Sequence, residues 1–348
     1  MKSTPGPRVI VVGAGMAGIA ATERFVEAGW QVMLLDKADK PGGRCATRSL
    51  PEACDGGWFD YGAHYFTARD PAFRAALAAD RRAGVLCAWQ PRIGLAEQTE
   101  TGWQMSASPD ERERLIGVNG LNPWLAGRLA RTGVHATCNT RVKSLVRGPD
   151  GWQVHCHDEA TARIADALVV TVPAPQAADL LGDAARSIPA LAQADTALAP
   201  CQSLIVETPG ALQFHGLFVK GGALAWCADN SHKAQRDRER PHFWTLHAGP
   251  AYSQAHLEDD PTCVQAALIA EFAAITGLAT TDVRPVHRHR WRYARPGDGA
   301  PAADTGCVAD PQQRWALAGD WLAGGRIEGA WRSGRQAAHA LIAAGCAD

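Results

Sequence analysis

The 348 residues supply material for about two domains, and 35 basic against 36 acidic residues leave a formal charge of −1, so no global field directs the chain to nucleic acid or an anionic membrane. Hydrophobic content of 46% with 20% charged residues is that of a folded globular protein, and no apolar run approaches the roughly 20 residues needed to span a bilayer. Ten cysteines without a CxxC pair exclude a zinc ribbon and a dithiol redox couple and read as reduced, mostly buried thiols.

Only seven residues precede the first predicted strand, too few for a charged n-region, an apolar h-region and a cleavage site, which gives the expectation of a cytoplasmic protein. Val9–Val12 is a continuous apolar run of strand length, and Gly13-x-Gly15-x-x-Gly18 follows it directly. Ala17, Ala21, Phe25 and Ala28 then recur at helical spacing, and a second apolar run, Val32–Leu35, ends in Asp36. Strand, glycine turn, helix, strand and acid in that order make a dinucleotide site. Gly13 permits the tight turn, Gly15 lets the backbone approach a pyrophosphate, and Gly18 lets helix and strand lie close. Met16 and Ala17 fall in the first turn of the helix, whose free N–H groups and partial positive charge suit phosphate, and Asp36 can accept from a ribose. Lys37 opens the next loop, where Gly42 and Gly43 let the backbone pass close to a ligand and Arg44 offers a planar cation to the phosphates. Phe59–Phe66 follows, with Gly62 and Ala63 as small residues and His64 and Tyr65 in a polar aromatic cluster.

Strand-like pieces are expected at Val85–Trp89, Gly94–Thr99 and Trp103–Ala107, a helix through Leu121, Trp124, Leu125 and Leu129, and a hairpin of Arg141–Arg147 with Trp152–His157 about the turn at Gly148–Gly151. His155-Cys156-His157 has the residue types of a metal site, but in a strand Cys156 faces away from both histidines, so no metal is expected. Ala167–Val172 is apolar on both faces, as a buried parallel strand is, and Pro173 and Pro175 are expected to end it. From about Gly182 to Val283 the pattern is antiparallel, interrupted by a helix with Val264, Ala267, Leu268, Phe272 and Ile275 on one side. The block Lys233–Arg240, rich in both charge signs, reads as a solvated loop.

Arg284–Tyr293 alternates, putting Arg284, Arg288, Arg290 and Arg292 on one face and His287, His289, Trp291 and Tyr293 on the other. A strand ending at Ala318 is followed by Gly319-Asp320, and a small-residue helix through Ile327–Ala344 begins a few residues later. An acid there can hold ribityl hydroxyls, while the helix start around Arg326, Ile327 and Gly329 offers N–H groups to the anion that forms at N1 and O2 of a reduced isoalloxazine. The two glycine-rich ends together point to FAD.

The motifs VVGAGMAG, DKADKPGGR, FDYGAHYFTARDP, TVPAPQ, HRWRYARP and GDWLAGGRIEGAWRSG resemble the renalase branch of the FAD-dependent amine oxidase superfamily, from the first strand to the last helix. That resemblance implies an α/β fold: a Rossmann-type FAD-binding domain of the p-hydroxybenzoate hydroxylase kind, built from 1–69, 108–181 and 294–348, with an antiparallel-sheet substrate domain from 70–107 and 182–293. It carries cofactor contact onto Gly13, Gly15, Gly18, Asp36, Arg44, Val142, Asp320 and Ile327. Two positions depart from it: Asp36 stands where a glutamate is commoner, and Thr22 where a small alanine is usual. No cysteine sits in a motif for covalent linkage, so the FAD is expected to be non-covalent. The implied substrates are misreduced 2-dihydro and 6-dihydro isomers of NAD(P), oxidised to NAD(P)+ with oxygen as the final acceptor and hydrogen peroxide as product. His64, Tyr65, Trp291 and Tyr293 are the candidates for positioning substrate at the flavin. A small-amine oxidase using the same flavin, and from another class a flavin-binding sensor without turnover, are the alternatives; a lipid desaturase would require an amphipathic membrane surface that the chain lacks.

Overall fold

The structure is a computed structural model that describes residues 6–49, 57–234, 241–301 and 305–345. At the centre of one six-stranded sheet lies Arg8–Val12, in the order Cys307–Asp310, Trp315–Ala318, Ala167–Val170, Arg8–Val12, Gln31–Leu35 and Ala136–Thr137. All neighbours are parallel except Cys307–Asp310, which runs antiparallel to Trp315–Ala318. Val9 to Val12 are at most 4% exposed because both faces are covered, which is why this strand is a continuous apolar run and not an alternation. The first helix, Met16–Glu27, and the last, Arg326–Gly345, share a core with Val9 and Val11. Ile10 and Val12 face the hairpin of Val142–Gly148 with Gly151–Cys156 and the segment after residue 182. Each such buried aliphatic side chain contributes about 1.5–3 kcal/mol.

The second large sheet has seven strands in the order Arg284–Pro296, Leu198–Thr208, His242–Ala248, Leu224–Asp229, Gly216–Lys220, Ile93–Thr99 and Gly102–Ala107. It is antiparallel apart from the parallel pair of Gly216–Lys220 with Ile93–Thr99. One face is covered by the helix Pro261–Thr276, which Asp260 caps by accepting from the Thr262 N–H at 2.7 Å and Gly277 ends at φ +76°. Its Val264, Leu268, Phe272 and Ile275 bury against Leu204, Leu217 and Trp244, whereas Ala267, which the sequence puts on the same face, is exposed. No helix among the described residues is long and apolar enough to cross a membrane.

Four elements differ from expectation. Pro173 and Pro175 do not simply end a strand: Ala174–Leu181 is a helix with Pro175 in its first turn, where a missing N–H costs nothing. Residues 182–196 are three 3₁₀ turns lying on the parallel-sheet core, not antiparallel strands. Leu86–Trp89 pairs with Arg114–Gly117, apart from the seven-stranded sheet. The alternating strand after Arg284 runs on to Pro296, through residue 294 where the sequence puts a domain boundary.

The largest correction is Lys233. It is not solvated but fully buried, its ammonium 2.7 Å from an equally buried Asp60 carboxylate; residues 235–240 of that block lie outside the described residues. Asp60 also accepts from Thr47 Oγ1 at 2.6 Å and the Leu121 N–H at 3.2 Å, its own N–H donates to Asn230 and its carbonyl accepts from Thr245 Oγ1. A lone charge left in that site has no water to hydrate it. Lys233→Met is therefore expected to lower unfolding free energy by about 3–5 kcal/mol, and Lys233→Met combined with Asp60→Asn by less than Lys233→Met alone. Urea titration of the three proteins measures both; equal losses in the single and double variants would contradict the ion-pair account.

Candidate functional site

The N-terminal glycine loop behaves as its spacing requires. Gly13 sits at φ +106° and donates to the Leu35 carbonyl at 2.8 Å, turning the chain from strand to helix. At Gly18 an added Cβ would stand 1.8 Å from the Gly13 carbonyl oxygen, so this glycine serves helix packing and does not line the cavity. Gly15 is the opposite case: an added Cβ would meet nothing within 4 Å, because the residue faces an open channel. Asp36 braces the loop by accepting from the Ala14 N–H at 2.6 Å and the Ala38 N–H at 2.8 Å, one on each carboxylate oxygen. Each oxygen keeps a lone pair for a further donor.

That channel belongs to a cavity of about 1090 Å³, at the large end of the roughly 300–1,000 Å³ usual for ligand sites. Gly13, Gly15, Met16, Ala17, Asp36, Lys37, Gly43 and Arg44 line it from the N-terminal side, Val142 from the hairpin, Ala63 and Tyr65 from the following loop, and Trp291 and Tyr293 from the long edge strand. Gly319, Asp320, Arg326 and Ile327 line it from the C-terminal end. Burial, then the nearby Arg141 guanidinium, pull the Lys37 ammonium below its ordinary pKa. Arg44 grips Asp320 through both guanidinium nitrogens and also donates to the Ala294 carbonyl at 3.2 Å. The residue expected at the phosphates and the one expected at the ribityl hydroxyls are thus joined across the cavity as an ion pair.

Three further candidates lie just behind the wall. Gly62 is pressed against the Arg44 carbonyl and Gly329 against the Ala323 carbonyl, where a Cβ would come within 2.0 and 2.4 Å, so both act as packing residues. His64 is only 3% exposed and does not reach the cavity. Its Nδ1 accepts from the Trp226 indole N–H at 2.7 Å, and its ring stacks on His247 at 4.5 Å. A histidine whose Nδ1 accepts is the neutral tautomer protonated on Nε2. Burial, then His247 and Lys233, hold the His64 pKa well below its ordinary value, and burial brings that of His247 to about 4. Thr22, the departure in the first helix, is buried with no partner for its hydroxyl, away from the cavity.

The sequence missed Tyr61. Its carbonyl accepts from Ser203 Oγ at 2.9 Å, Trp291 Nε1 at 3.0 Å and His247 Nε2 at 3.2 Å, three donors from three strands of the large sheet. The Tyr61 ring stacks on Trp291 with centroids 5.6 Å apart and planes 22° from parallel, and Phe59, His287 and His289 meet it edge-on. Burial raises its phenol pKa. The available signal is its place in FDYGAHYF, the segment in which the sequence points to His64 and Tyr65. Tyr65 does line the cavity, with the Arg114 guanidinium 5.3 Å over its ring. As alternation requires, the arginines of the edge strand are exposed while His287, His289, Trp291 and Tyr293 are half-buried. Arg284 pairs with Glu207, and Arg290 and Arg292 with Glu258.

A dinucleotide fits these residues on two observations. The open face of Gly15 is a cradle that a Cβ would fill, and at the far end Gly324, Gly325 and Arg326 take φ +71°, +77° and +68° in succession, turning the chain into the 20-residue last helix, whose first turn lines the cavity at Ile327. Cys45 is the lining thiol; burial pushes it up to about 12, leaving it unreactive at neutral pH.

Residues 11–79 match the NAD(P)-binding Rossmann-like domain, and residues 94–342 match the flavin containing amine oxidoreductases. Among curated proteins, lysine-specific histone demethylase 1 homolog 1 of Arabidopsis thaliana is 46% identical over 44 residues, 13% of this chain and 5% of that protein. Among solved structures, a chain from Exiguobacterium sp. 255-15 described as a protoporphyrinogen oxidase superposes with a TM-score of 0.77 at 14% identity, covering 99% of both chains. Cyclohexylamine oxidase from Brevibacterium oxydans IH-35A gives 0.72 at 13% identity, covering 97% of this chain and 99% of its own.

Gly15→Val is expected to fold normally, since its side chain enters open space, yet to purify colourless because that space is the phosphate channel. Far-ultraviolet circular dichroism and the flavin absorbance ratio check the two halves separately, and a yellow variant would refute the second. Neutral His64 and His247 carry a pH signature. An unfolded histidine protonates near the usual 6.5, whereas folded His247 does so only at about 4. Between those values the unfolded chain binds more protons, so stability is complete above about pH 6.5 and is lost as pH falls toward 4. The urea midpoint should drop across that window, and by less in His247→Gln; a flat profile would exclude the account.

Proposed function

This chain belongs to the flavin containing amine oxidoreductase family, an FAD-dependent oxidoreductase, and on that premise we propose that it oxidises 2-dihydro and 6-dihydro isomers of NAD(P) to NAD(P)+. The observation that carries this reading is the charge of the cavity: eleven lysines and arginines line it against four aspartates. Glu258, shared by two of those arginines, offsets one charge, and the pyrophosphate of the cofactor offsets two more, yet a cationic excess remains. Such a field attracts a phosphorylated substrate and repels an ammonium ion.

Bound FAD supplies the two-electron acceptor and, through oxygen, the route to hydrogen peroxide. The chain's own residues have the simpler task of holding and orienting. We assign 1–69, 108–181 and 294–348 to the flavin-binding part and 70–107 with 182–293 to the substrate part, with 182–196 packed back on the parallel-sheet core and the edge strand Arg284–Pro296 crossing the boundary at 294. Gly13, Gly15, Met16, Ala17 and Gly43 leave room and N–H donors for the pyrophosphate, Asp36 and Lys37 meet the adenosine ribose, and Val142 covers the adenine side. Arg44 and Asp320 take the ribityl chain and phosphates between them, and Ile327 with the first turn of the last helix faces the flavin pyrimidine. Trp291, braced through its indole N–H by the Tyr61 carbonyl, and Tyr293 and Tyr65 present flat surfaces to a nicotinamide ring. No proton need be removed when a dihydropyridine becomes an aromatic cation, which suits a wall of neutral aromatics.

The family and the cyclohexylamine oxidase likeness favour amine oxidation as the second reading. Against it stand the cationic lining and the Tyr61–Trp291 stack, whose centroids at 5.6 Å leave no slot between the rings for a substrate. Trp291→Ala is expected to slow anaerobic flavin reduction by 6-dihydro-NAD at least tenfold, about 1.4 kcal/mol in the barrier, while leaving FAD affinity unchanged. Stopped-flow bleaching of the flavin gives the rate. Rapid bleaching by a primary amine, with none by any dihydronicotinamide isomer, would replace this assignment by the amine oxidase reading.

A further inference from the structure

Most arginines of the cavity are spent on neighbours: Arg44 on Asp320, Arg112 and Arg114 on Asp110, Arg290 and Arg292 on Glu258. Around the first turn of the last helix three are not. Arg69, Arg295 and Arg326 line the cavity, are exposed, and have no carboxylate partner among the described residues. Separate contacts bring them to one place. Arg326 opens the helix; Gly325 packs against Pro296, next to Arg295, so closely that an added Cβ would stand 3.1 Å from the proline ring; and the Arg69 N–H donates to Glu328 in the helix's first turn. Glu328 stands near the group but forms an ion pair with none of the three guanidiniums among the described residues; its carboxylate accepts from the backbone N–H groups of Arg69 and Asp70. Arg326 also holds φ +68°, a conformation that side chains other than glycine rarely adopt and that clusters at functional sites.

We propose that Arg69, Arg295 and Arg326 form the receiving site for the phosphates of the substrate, selecting phosphorylated nucleotides and anchoring them while the reacting ring lies on Trp291. The assignment rests on the reading that the flavin ring occupies this end of the cavity. It differs from the phosphate site of the cofactor, which lies at the first helix beyond the Arg44–Asp320 pair. Arginine suits the role because its planar fork meets two phosphate oxygens at once, and because an unpaired guanidinium need break no ion pair to do so.

The test uses the FAD-loaded protein and its Arg69→Gln, Arg295→Gln and Arg326→Gln variants. Two reductants are compared in anaerobic stopped flow: 6-dihydro-NAD and the matching 6-dihydronicotinamide riboside, which has the ring but no phosphate. Each variant should raise the concentration of 6-dihydro-NAD needed for half-maximal flavin reduction about tenfold, and by a clearly larger factor than any change it makes with the riboside. Equal losses with both compounds, or a shifted flavin midpoint potential with unchanged affinity for 6-dihydro-NAD, would overturn the proposal. Calorimetric binding of ADP to the same proteins reads the site without chemistry. ADP should bind the parent protein and bind Arg326→Gln about tenfold more weakly; no ADP binding to the parent would overturn the proposal. Should neither reductant bleach the flavin while ADP binding still depends on Arg326, the substrate reading fails and the phosphate site stands.

Discussion

The buried Asp60 carboxylate is the constraint on which the geometry of the site depends. It is wholly enclosed, and its charge is met by the Lys233 ammonium, the Thr47 hydroxyl and the Leu121 N–H. These partners come from opposite parts of the molecule: Thr47 and Leu121 stand with the nucleotide-binding half, Lys233 with the seven-stranded sheet. An unpaired carboxylate here would be strongly disfavoured, so the two parts cannot separate or slide without losing several charge-assisted bonds together. The next residue is Tyr61. Its carbonyl, gathered by Ser203, His247 and Trp291, carries this fixed point onward to the aromatic wall. Packing alone would centre a tryptophan on a sheet edge only loosely; a directional bond from its indole N–H sets which way the ring faces.

Electrostatically the cavity is uneven: Arg44 and Asp320 satisfy one another across it, while Arg69, Arg295 and Arg326 line it with no carboxylate partner among the described residues. An anionic ligand therefore meets some cations that are already engaged and others that can be used without breaking an ion pair.

The parallel sheet and its nucleotide turn were legible because local and global demands agree there: strands covered on both faces read as unbroken apolar runs, and Gly13 and Gly18 answer separate steric needs while Gly15 opens on the cavity. The alternating edge strand was equally plain, since one side meets solvent. Other features had no local signature. Residues 182–196 have too little periodicity to declare themselves, and the pairing of Leu86–Trp89 with Arg114–Gly117 is a choice among equally strand-like segments. Lys233 was read with its charged neighbours as solvated because the acid that buries it lies 173 residues away in the chain. Tyr61 was passed over because what matters most is its carbonyl, which every residue has. His64 drew notice as a titratable ring, yet burial beside a second histidine keeps it uncharged and off the wall.

The edge strand Arg284–Pro296 holds its cationic side to solvent and its aromatic side to the cavity through pairing with Leu198–Thr208, and two register irregularities, between Ala199 and Cys201 and between Ile205 and Val206, fix where that alternation falls. Losing or gaining one residue in either strand would, beyond that point, turn guanidiniums toward the cavity and aromatic rings toward water. Point changes at Arg284 and Arg288, which are exposed and do not line the cavity, only alter the charge of a wet surface. Descendants of this gene can therefore drift at those two outward positions while the length of the strand stays frozen.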